Sequence, residues 1–271
     1  MDGSIDAALR AARQHLPALE ARLLLRHILG CEAAWLAAHG DALLDAAAAD
    51  RFARWVARRA AGEPIAYLVG EREFYGRRFR VTPDVLIPRP ETELLVDLAL
   101  AKLEGIAAPR LLELGTGSGC IAVSLACALP RARLLAVDRS PAALRIAADN
   151  AAQYGAGVDF VCGDWLAAID GEFDLIVANP PYIAVADPHL AQGDLRFEPR
   201  QALTPGGDGL AAIRVIAAAA PSRLAAGGWL LLEHGSEQAD AVRMLLRHAG
   251  FATCECHRDV AGLDRVAAAR I

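Results

Sequence analysis

The chain predicts an α/β fold, a doubly wound and mostly parallel sheet preceded by a smaller helical domain. Three observations predict it. Short apolar runs alternate with helical stretches from Arg110 onward; the segment from Ile5 to Ala61 is Ala-, Leu- and Arg-rich with helical spacing; and a glycine turn and an Asn-Pro-Pro-Tyr corner each follow an apolar run. Alternation of this kind is the grammar of a parallel sheet covered by helices on both faces. A length of 271 residues with 55% hydrophobic content suffices for a core without staples.

In the N-terminal segment Leu16, Leu19, Leu23 and Ile28 are spaced as one apolar stripe, Gly30 marks a stop, and Asp50 with Arg51 to Arg59 predicts a further amphipathic helix. His15, His27 and His39 sit singly there and form no catalytic cluster. The grammar changes between Gly62 and Pro90, where Phe74 to Val81 alternates around Gly76 as a hairpin does. Ile87-Pro88-Arg89-Pro90-Glu91-Thr92-Glu93 then stiffens the approach to a helix running from about Glu91 to Leu103. The expected boundaries are a helical docking domain over 1–73, a hairpin linker over 74–86 and the sheet domain over 87–271.

Arg110 to Leu114 reads as a strand, Gly115-Thr116-Gly117-Ser118-Gly119 as a tight turn and Cys120 to Leu129 as a helix. Glycines let backbone approach a ligand, and the helix start beyond them offers free N–H groups. The spacing Gly-x-Gly-x-Gly lacks the third glycine of the dinucleotide fingerprint, because Cys120 stands there, which favours adenosine without pyrophosphate. Asp138, at the end of the strand Arg133 to Val137, is placed to bind both ribose hydroxyls. Ser140-Pro141 carries the cap-then-proline signature of a new helix. In Cys162-Gly163-Asp164-Trp165, closing the strand that starts at Val158, Asp164 is an acceptor for an adenine amino group and Trp165 a surface for the purine, although an acid solvating a strand end beside a buried indole reads equally well. Glu113 suits either an ammonium group or a structural cap.

Phe173 to Ala178 reads as a buried central strand that delivers Asn179-Pro180-Pro181-Tyr182 to the carboxyl edge of the sheet. The prolines end the strand and hold a rigid corner. The Asn179 side-chain oxygen can accept one N–H of a flat amine or amide and the Pro180 carbonyl the other, while Tyr182 stacks on the group. Two acceptors drawing on two hydrogens turn the nitrogen lone pair towards an electrophile. Beyond the corner, Ile183 to Gly209 lacks regular periodicity, with Phe197-Glu198-Pro199-Arg200 a candidate acceptor wall. The strand Trp229 to Glu233 and a closing hairpin around Val260 to Val266 complete the chain.

A net charge of −5 argues against a protein that chiefly grips duplex DNA. Cys31, Cys120, Cys127, Cys162, Cys254 and Cys256 are scattered and read as small core residues of a reducing compartment, and no finger-like ligand pairs predict a metal. With no leader-like or membrane-spanning apolar run, a cytoplasmic protein is expected.

Together Gly70-Glu71-Arg72-Glu73-Phe74-Tyr75-Gly76, Ile87 to Glu93, Leu112 to Gly119, Asn179 to Tyr182 and Asp259 to Arg265 resemble the HemK/PrmC family of protein-(glutamine-N5) methyltransferases. Asn-Pro-Pro-Tyr alone is shared with DNA adenine and other amino-group methyltransferases; the combination with Ile-Pro-Arg-Pro-Glu-Thr-Glu and a helical N-terminal domain is more specific. The resemblance implies a Rossmann-like methyltransferase sheet and S-adenosylmethionine as cofactor, with S-adenosylhomocysteine as product. It implies cofactor contacts at Gly115, Thr116, Gly117, Ser118, Gly119, Asp138, Trp165 and Asn179, and an acceptor amide held by Asn179, Pro180, Pro181 and Tyr182. The implied partner is the Gly-Gly-Gln domain of peptide chain release factors, met by a monomer without stable nucleic-acid or membrane binding. A nucleic-acid amino methyltransferase, an enzyme acting on a ribosomal-protein glutamine, and a donor-binding scaffold remain open at this point.

Overall fold

The computed structural model describes residues 3–167 and 169–271, which divide into a unit ending at Glu71 and a unit starting at Arg72. The first unit is a helical bundle of α1 (Ile5–Ala12), α2 (Ala18–Leu29), α3 (Ala33–Ala38), α4 (Ala46–Ala60) and α5 (Ile65–Val69). Its core gathers Ile5, Leu9, Leu24, Leu25, Leu36, Phe52 and Val56. Gly30 does end α2, in a left-handed cap. The apolar stripe of α2 is a correction: Leu19 is 77% exposed and Leu23 39%, whereas Ala21, Leu24 and Leu25 are fully buried. The helix starts only at Ala18, after Pro17, and its inward face follows Ala21, Leu24, Leu25 and Ile28 at i, i+3, i+4 and i+7.

The second unit opens one residue into β1 (Glu71–Phe74), which forms a hairpin with β2 (Arg77–Arg80). Tyr75 and Gly76 both have positive φ, 50° and 72°, as a two-residue hairpin turn of matching twist requires. Phe74 and Phe79 are buried in the core of this unit, their rings edge to face at 6.1 Å. The main sheet has the order β5-β4-β3-β6-β7-β9-β8, built from β3 (Arg110–Leu114), β4 (Arg133–Asp138), β5 (Val158–Cys162), β6 (Phe173–Ala178), β7 (Leu224–Glu233), β8 (Thr253–Arg258) and β9 (Asp264–Arg270). The first five in that order are parallel, and β9 runs antiparallel to both neighbours. The doubly wound, mostly parallel sheet predicted from the alternation is therefore present, with β7 beginning five residues earlier than Trp229.

Successive side chains of each strand point to opposite faces, so two cores form. Leu111, Leu175, Val177 and Leu231 pack against α6 (Glu93–Lys102), α7 (Cys120–Ala128) and α8 (Pro141–Tyr154). Leu112, Ile176, Leu230 and Leu232 pack against α10 (Ala211–Ala219) and α11 (Ala239–His248). Between β6 and α10, the segment without periodicity forms single turns at Pro188–Ala191 and Gly193–Phe197 and the short α9 (Arg200–Leu203). The cysteines depart from the expectation of core residues: Cys120 is buried, but Cys162 and Cys256 are exposed. Both lie on edge strands, β5 and β8, where alternate side chains have less to pack against. Among the described residues no helix is long and apolar enough to cross a membrane.

Candidate active site

Strand order reverses between β3 and β6: β4 and β5 lie to one side of β3, and β6 and β7 to the other. Open α/β sheets bind ligands at that crevice, beyond the carboxyl ends of the strands. A cavity of about 490 Å³ lies there, within the size range of small-molecule sites.

Its floor is the turn after β3. The Gly115 and Thr116 amides both donate to the Val137 carbonyl, at 2.8 and 3.0 Å, which sews the turn onto β4. Gly115, Gly117 and Gly119 all have positive φ, at 73°, 55° and 79°. A Cβ at Gly115 would stand 3.4 Å from Cζ3 of Trp165, so the glycine admits that ring. Gly119 has a different part: its Cβ would meet Ala147 Cβ at 3.0 Å and Cα at 3.1 Å, which lets α7 start flush against α8. It does not line the cavity, whereas Gly115, Thr116, Gly117 and Ser118 do.

Asp138 ends β4 with both carboxylate oxygens oriented by backbone: Oδ2 accepts from the Gly117 amide and Oδ1 from the Ser140 amide, each at 2.9 Å. Each oxygen keeps a further lone pair for a ligand hydroxyl. Asp164 and Trp165 form the adjoining wall, Trp165 with a positive φ of 50°. Glu113 faces the cavity from β3 and also caps α7, accepting from the Thr116 hydroxyl at 2.6 Å and the Ala122 amide at 3.1 Å. Burial pushes its carboxyl up to about 8, with those two hydrogen bonds pulling the other way. A hollow of this size, with a glycine floor, a fixed carboxylate and an indole wall, fits an adenosine-bearing methyl donor.

The corner after β6 stands at the opposite wall. The Asn179 Nδ2 donates to the Thr92 hydroxyl at 3.1 Å. Among the described residues nothing donates to its Oδ1. Pro181 lines the main cavity, while Pro180 and Tyr182 line a neighbouring one of about 180 Å³; Asn179, Leu86, Arg89 and Ala202 line both. The Tyr182 phenol donates to Glu233 Oε1 at 3.1 Å, and its carbonyl accepts from Gln238 Nε2 at 3.0 Å. Burial, then the nearby Glu233 charge, raise the phenol above its ordinary range, so it stays protonated. Glu198 is not itself a cavity wall. Its buried carboxylate accepts from the Ile87 amide at 3.0 Å and pairs with the Arg89 guanidinium, pinning the irregular segment to the Pro-rich one; the neighbouring Pro199 lines the main cavity.

Of the residues predicted from sequence, the structure brings Gly115, Thr116, Gly117, Ser118, Asp138, Trp165, Asn179 and Pro181 around one cavity and sets Pro180 and Tyr182 on the next. Arg89, Thr92 and Glu233 were missed. The first two lie in the Ile-Pro-Arg-Pro-Glu-Thr-Glu run, whose stiffness is legible but whose side-chain targets are remote in sequence.

The family models that match are the PrmC N-terminal domain over residues 4–70 and the methyltransferase small domain over residues 91–217. A release factor glutamine methyltransferase of Bordetella pertussis is 55% identical over 93% of this chain and 94% of its own. One from Vibrio cholerae is 45% identical over 98% and 96%. Among solved structures, a 16S rRNA N2 G1207 methyltransferase of T. thermophilus in complex with AdoMet and guanosine superposes with a TM-score of 0.55 at 20% identity, covering 74% of this chain and 49% of that one, which is a likeness of fold.

Proposed function

The chain belongs to the release factor glutamine methyltransferase family, and from that premise we propose that it methylates the side-chain amide nitrogen of the glutamine in the Gly-Gly-Gln motif of peptide chain release factors, with S-adenosylmethionine as donor and S-adenosylhomocysteine as product. It is a methyltransferase. In this reading the helical unit docks the release factor, and the enzyme works as a cytoplasmic monomer without a stable nucleic-acid complex, in keeping with its net charge of −5.

S-adenosylmethionine would supply a methyl group made electrophilic by its sulfonium. The glycine floor at Gly115 to Ser118 allows close approach, Asp138 receives the ribose hydroxyls, and Trp165 packs beside the purine. An amide nitrogen is a poor nucleophile because its lone pair is delocalised, so positioning and fixed electrostatics must supply the rate. Asn179 Oδ1 and the Pro180 carbonyl accept the two amide N–H groups and favour a more tetrahedral nitrogen. The nitrogen gains the methyl group and releases one proton to water. Tyr182, its hydroxyl committed to Glu233, offers a ring face rather than an acid.

One observation carries this reading: Asn179 lines both cavities with Nδ2 tied to Thr92 and Oδ1 left for an incoming donor. The test is incubation with methyl-labelled S-adenosylmethionine and a release factor, followed by mass-spectrometric mapping. Label is expected on the Gly-Gly-Gln glutamine, and Asn179→Ala should lower transfer by roughly 100-fold or more with donor affinity nearly unchanged. Label on nucleic acid or a ribosomal protein instead, donor binding without product, or full activity of Asn179→Ala would each overturn it.

A further inference from the structure

The proposed reaction leaves a buried acid at the tip of β7 unused. Glu233 ends β7 at 1% exposure, and its Oε2 has no hydrogen-bond partner among the described residues. Native interiors rarely leave such an atom unpaired. The β6–β7 register pairs Ala178 with Leu232, so the next residues, Asn179 and Glu233, emerge side by side at the strand tips. Thr92, 2% exposed, adjoins both: its Oγ1 accepts from Asn179 Nδ2, and its hydroxyl, which donates to nothing among the described residues, lies near enough to the Glu233 carboxylate to influence it.

A hydroxyl has one proton, and a primary amide has two ends of similar shape. If the Thr92 proton is directed to Glu233, Thr92 Oγ1 can only accept from Asn179, which holds Nδ2 inward and Oδ1 outward. If Glu233 does not take that proton, Thr92 can donate to a flipped Asn179. The flipped side chain would present N–H groups to the N–H groups of an incoming amide. We infer that Glu233 and Thr92 are positioning residues that fix the orientation of Asn179, the Glu233 carboxylate acting through the Thr92 hydroxyl. This inference rests on the proposed role of Asn179.

The electrostatics around Glu233 make the relay sensitive to pH. Burial pushes its carboxyl up to about 7, and the negative charge of Glu91 adds to that; the nearby Thr92 hydroxyl, the Tyr182 hydrogen bond and the charge of Arg265 oppose it. Arg265 is itself paired with Asp259 at 3.1 Å, and the buried Cys120 thiol also feels the Glu233 charge. Protonation of Glu233 as pH falls through this region turns an acceptor-only carboxylate into a weaker acceptor that can itself donate to Thr92 Oγ1, so the Thr92 proton is no longer held towards Glu233.

The test compares wild type, Thr92→Val, Thr92→Ser, Glu233→Gln and Asn179→Ala, measuring kcat, KM and S-adenosylmethionine Kd with a Gly-Gly-Gln substrate. Thr92→Val and Glu233→Gln should lose about 10- to 100-fold in kcat with donor Kd within about 2-fold, and Thr92→Ser should recover most of the loss. The wild-type kcat should fall on the acid side of about pH 7, and this limb should vanish in Glu233→Gln. A Thr92→Val enzyme as fast as wild type, a Thr92→Ser enzyme as slow as Thr92→Val, or an acid limb retained in Glu233→Gln would overturn the relay. The Thr92 pair decides the matter if Glu233→Gln does not fold. An active Asn179→Ala would sink the reading of the reaction itself, whereas an inactive Asn179→Ala beside a fully active Thr92→Val sinks only the relay.

Discussion

Alanine at Gly119 and alanine at Gly117 should have opposite consequences, although the two glycines belong to one turn and both have positive φ. At Gly119 the new methyl would stand 3.0 Å from Ala147 Cβ and 3.1 Å from Ala147 Cα, with backbone of α8 behind it that cannot rotate away. A left-handed conformation costs a non-glycine residue roughly 1–2 kcal/mol, and overpacking a well-packed contact adds roughly 1–3 kcal/mol. The total for Gly119→Ala is therefore about 3 kcal/mol, in a unit whose melting temperature should shift by roughly 2–4 °C per kcal/mol, so a loss of about 6–12 °C. At Gly117 nothing lies within 4 Å of the added methyl. Only the conformational cost remains, about 1–2 kcal/mol, yet Gly117 lines the cavity and a side chain there occupies ligand space. Thermal unfolding followed by circular dichroism, with titration calorimetry for S-adenosylmethionine, separates the two effects. Gly119→Ala should be the less stable protein and Gly117→Ala the weaker binder, by about 10-fold or more. If Gly119→Ala melts within 2 °C of wild type, or Gly117→Ala is the more destabilised of the pair, the division of the turn into a ligand glycine and a packing glycine is wrong.

Two further outcomes follow from buried carboxylates. Glu198→Ala strands the Ile87 amide and the Arg89 guanidinium, and breaking a buried pair of this kind should cost about 3 kcal/mol in urea unfolding; a loss below about 1 kcal/mol would show that the two segments are held by something else. Glu113 has a folded-state value of about 8 against the ordinary 4.5 of an unfolded chain, so the folded protein binds the extra proton between those values. Its contribution to stability is complete below about pH 4.5 and is lost as pH rises through 8, on the order of 5 kcal/mol in total, with Glu233 adding a slope of the same sign up to about pH 7. Unfolding free energies measured from pH 5 to 9 should fall accordingly, and a Glu113→Gln variant with the wild-type slope would refute the assignment.

Much of this architecture is written locally. Ser140 caps α8 through a hydrogen bond to the Ala143 amide three residues away, and Gly30 closes α2 with a left-handed residue. Tyr75-Gly76 turns a hairpin between two strands of four residues each. These are short-range preferences, readable from neighbours in the chain. Which face of α2 is buried was not readable in the same way. Leu19 and Leu23 are as apolar as Leu24 and Leu25, and only the neighbouring helices decide which pair is covered.

The same division runs through the site. By itself the sequence determined that a glycine turn, an acidic strand end and an amide-proline corner would each follow a buried strand, because apolar runs and chain-breaking residues dictate where strands stop. The tertiary structure decided that these three ends share one hollow, that Gly119 packs against a helix while Gly117 opens to the cavity, and that Thr92 and Glu233 flank Asn179. The Thr92–Asn179 hydrogen bond spans 87 residues of chain. No local preference encodes such a meeting; it exists because the turn that opens α6 reaches the tip of β6 only once the helix has packed on the assembled sheet.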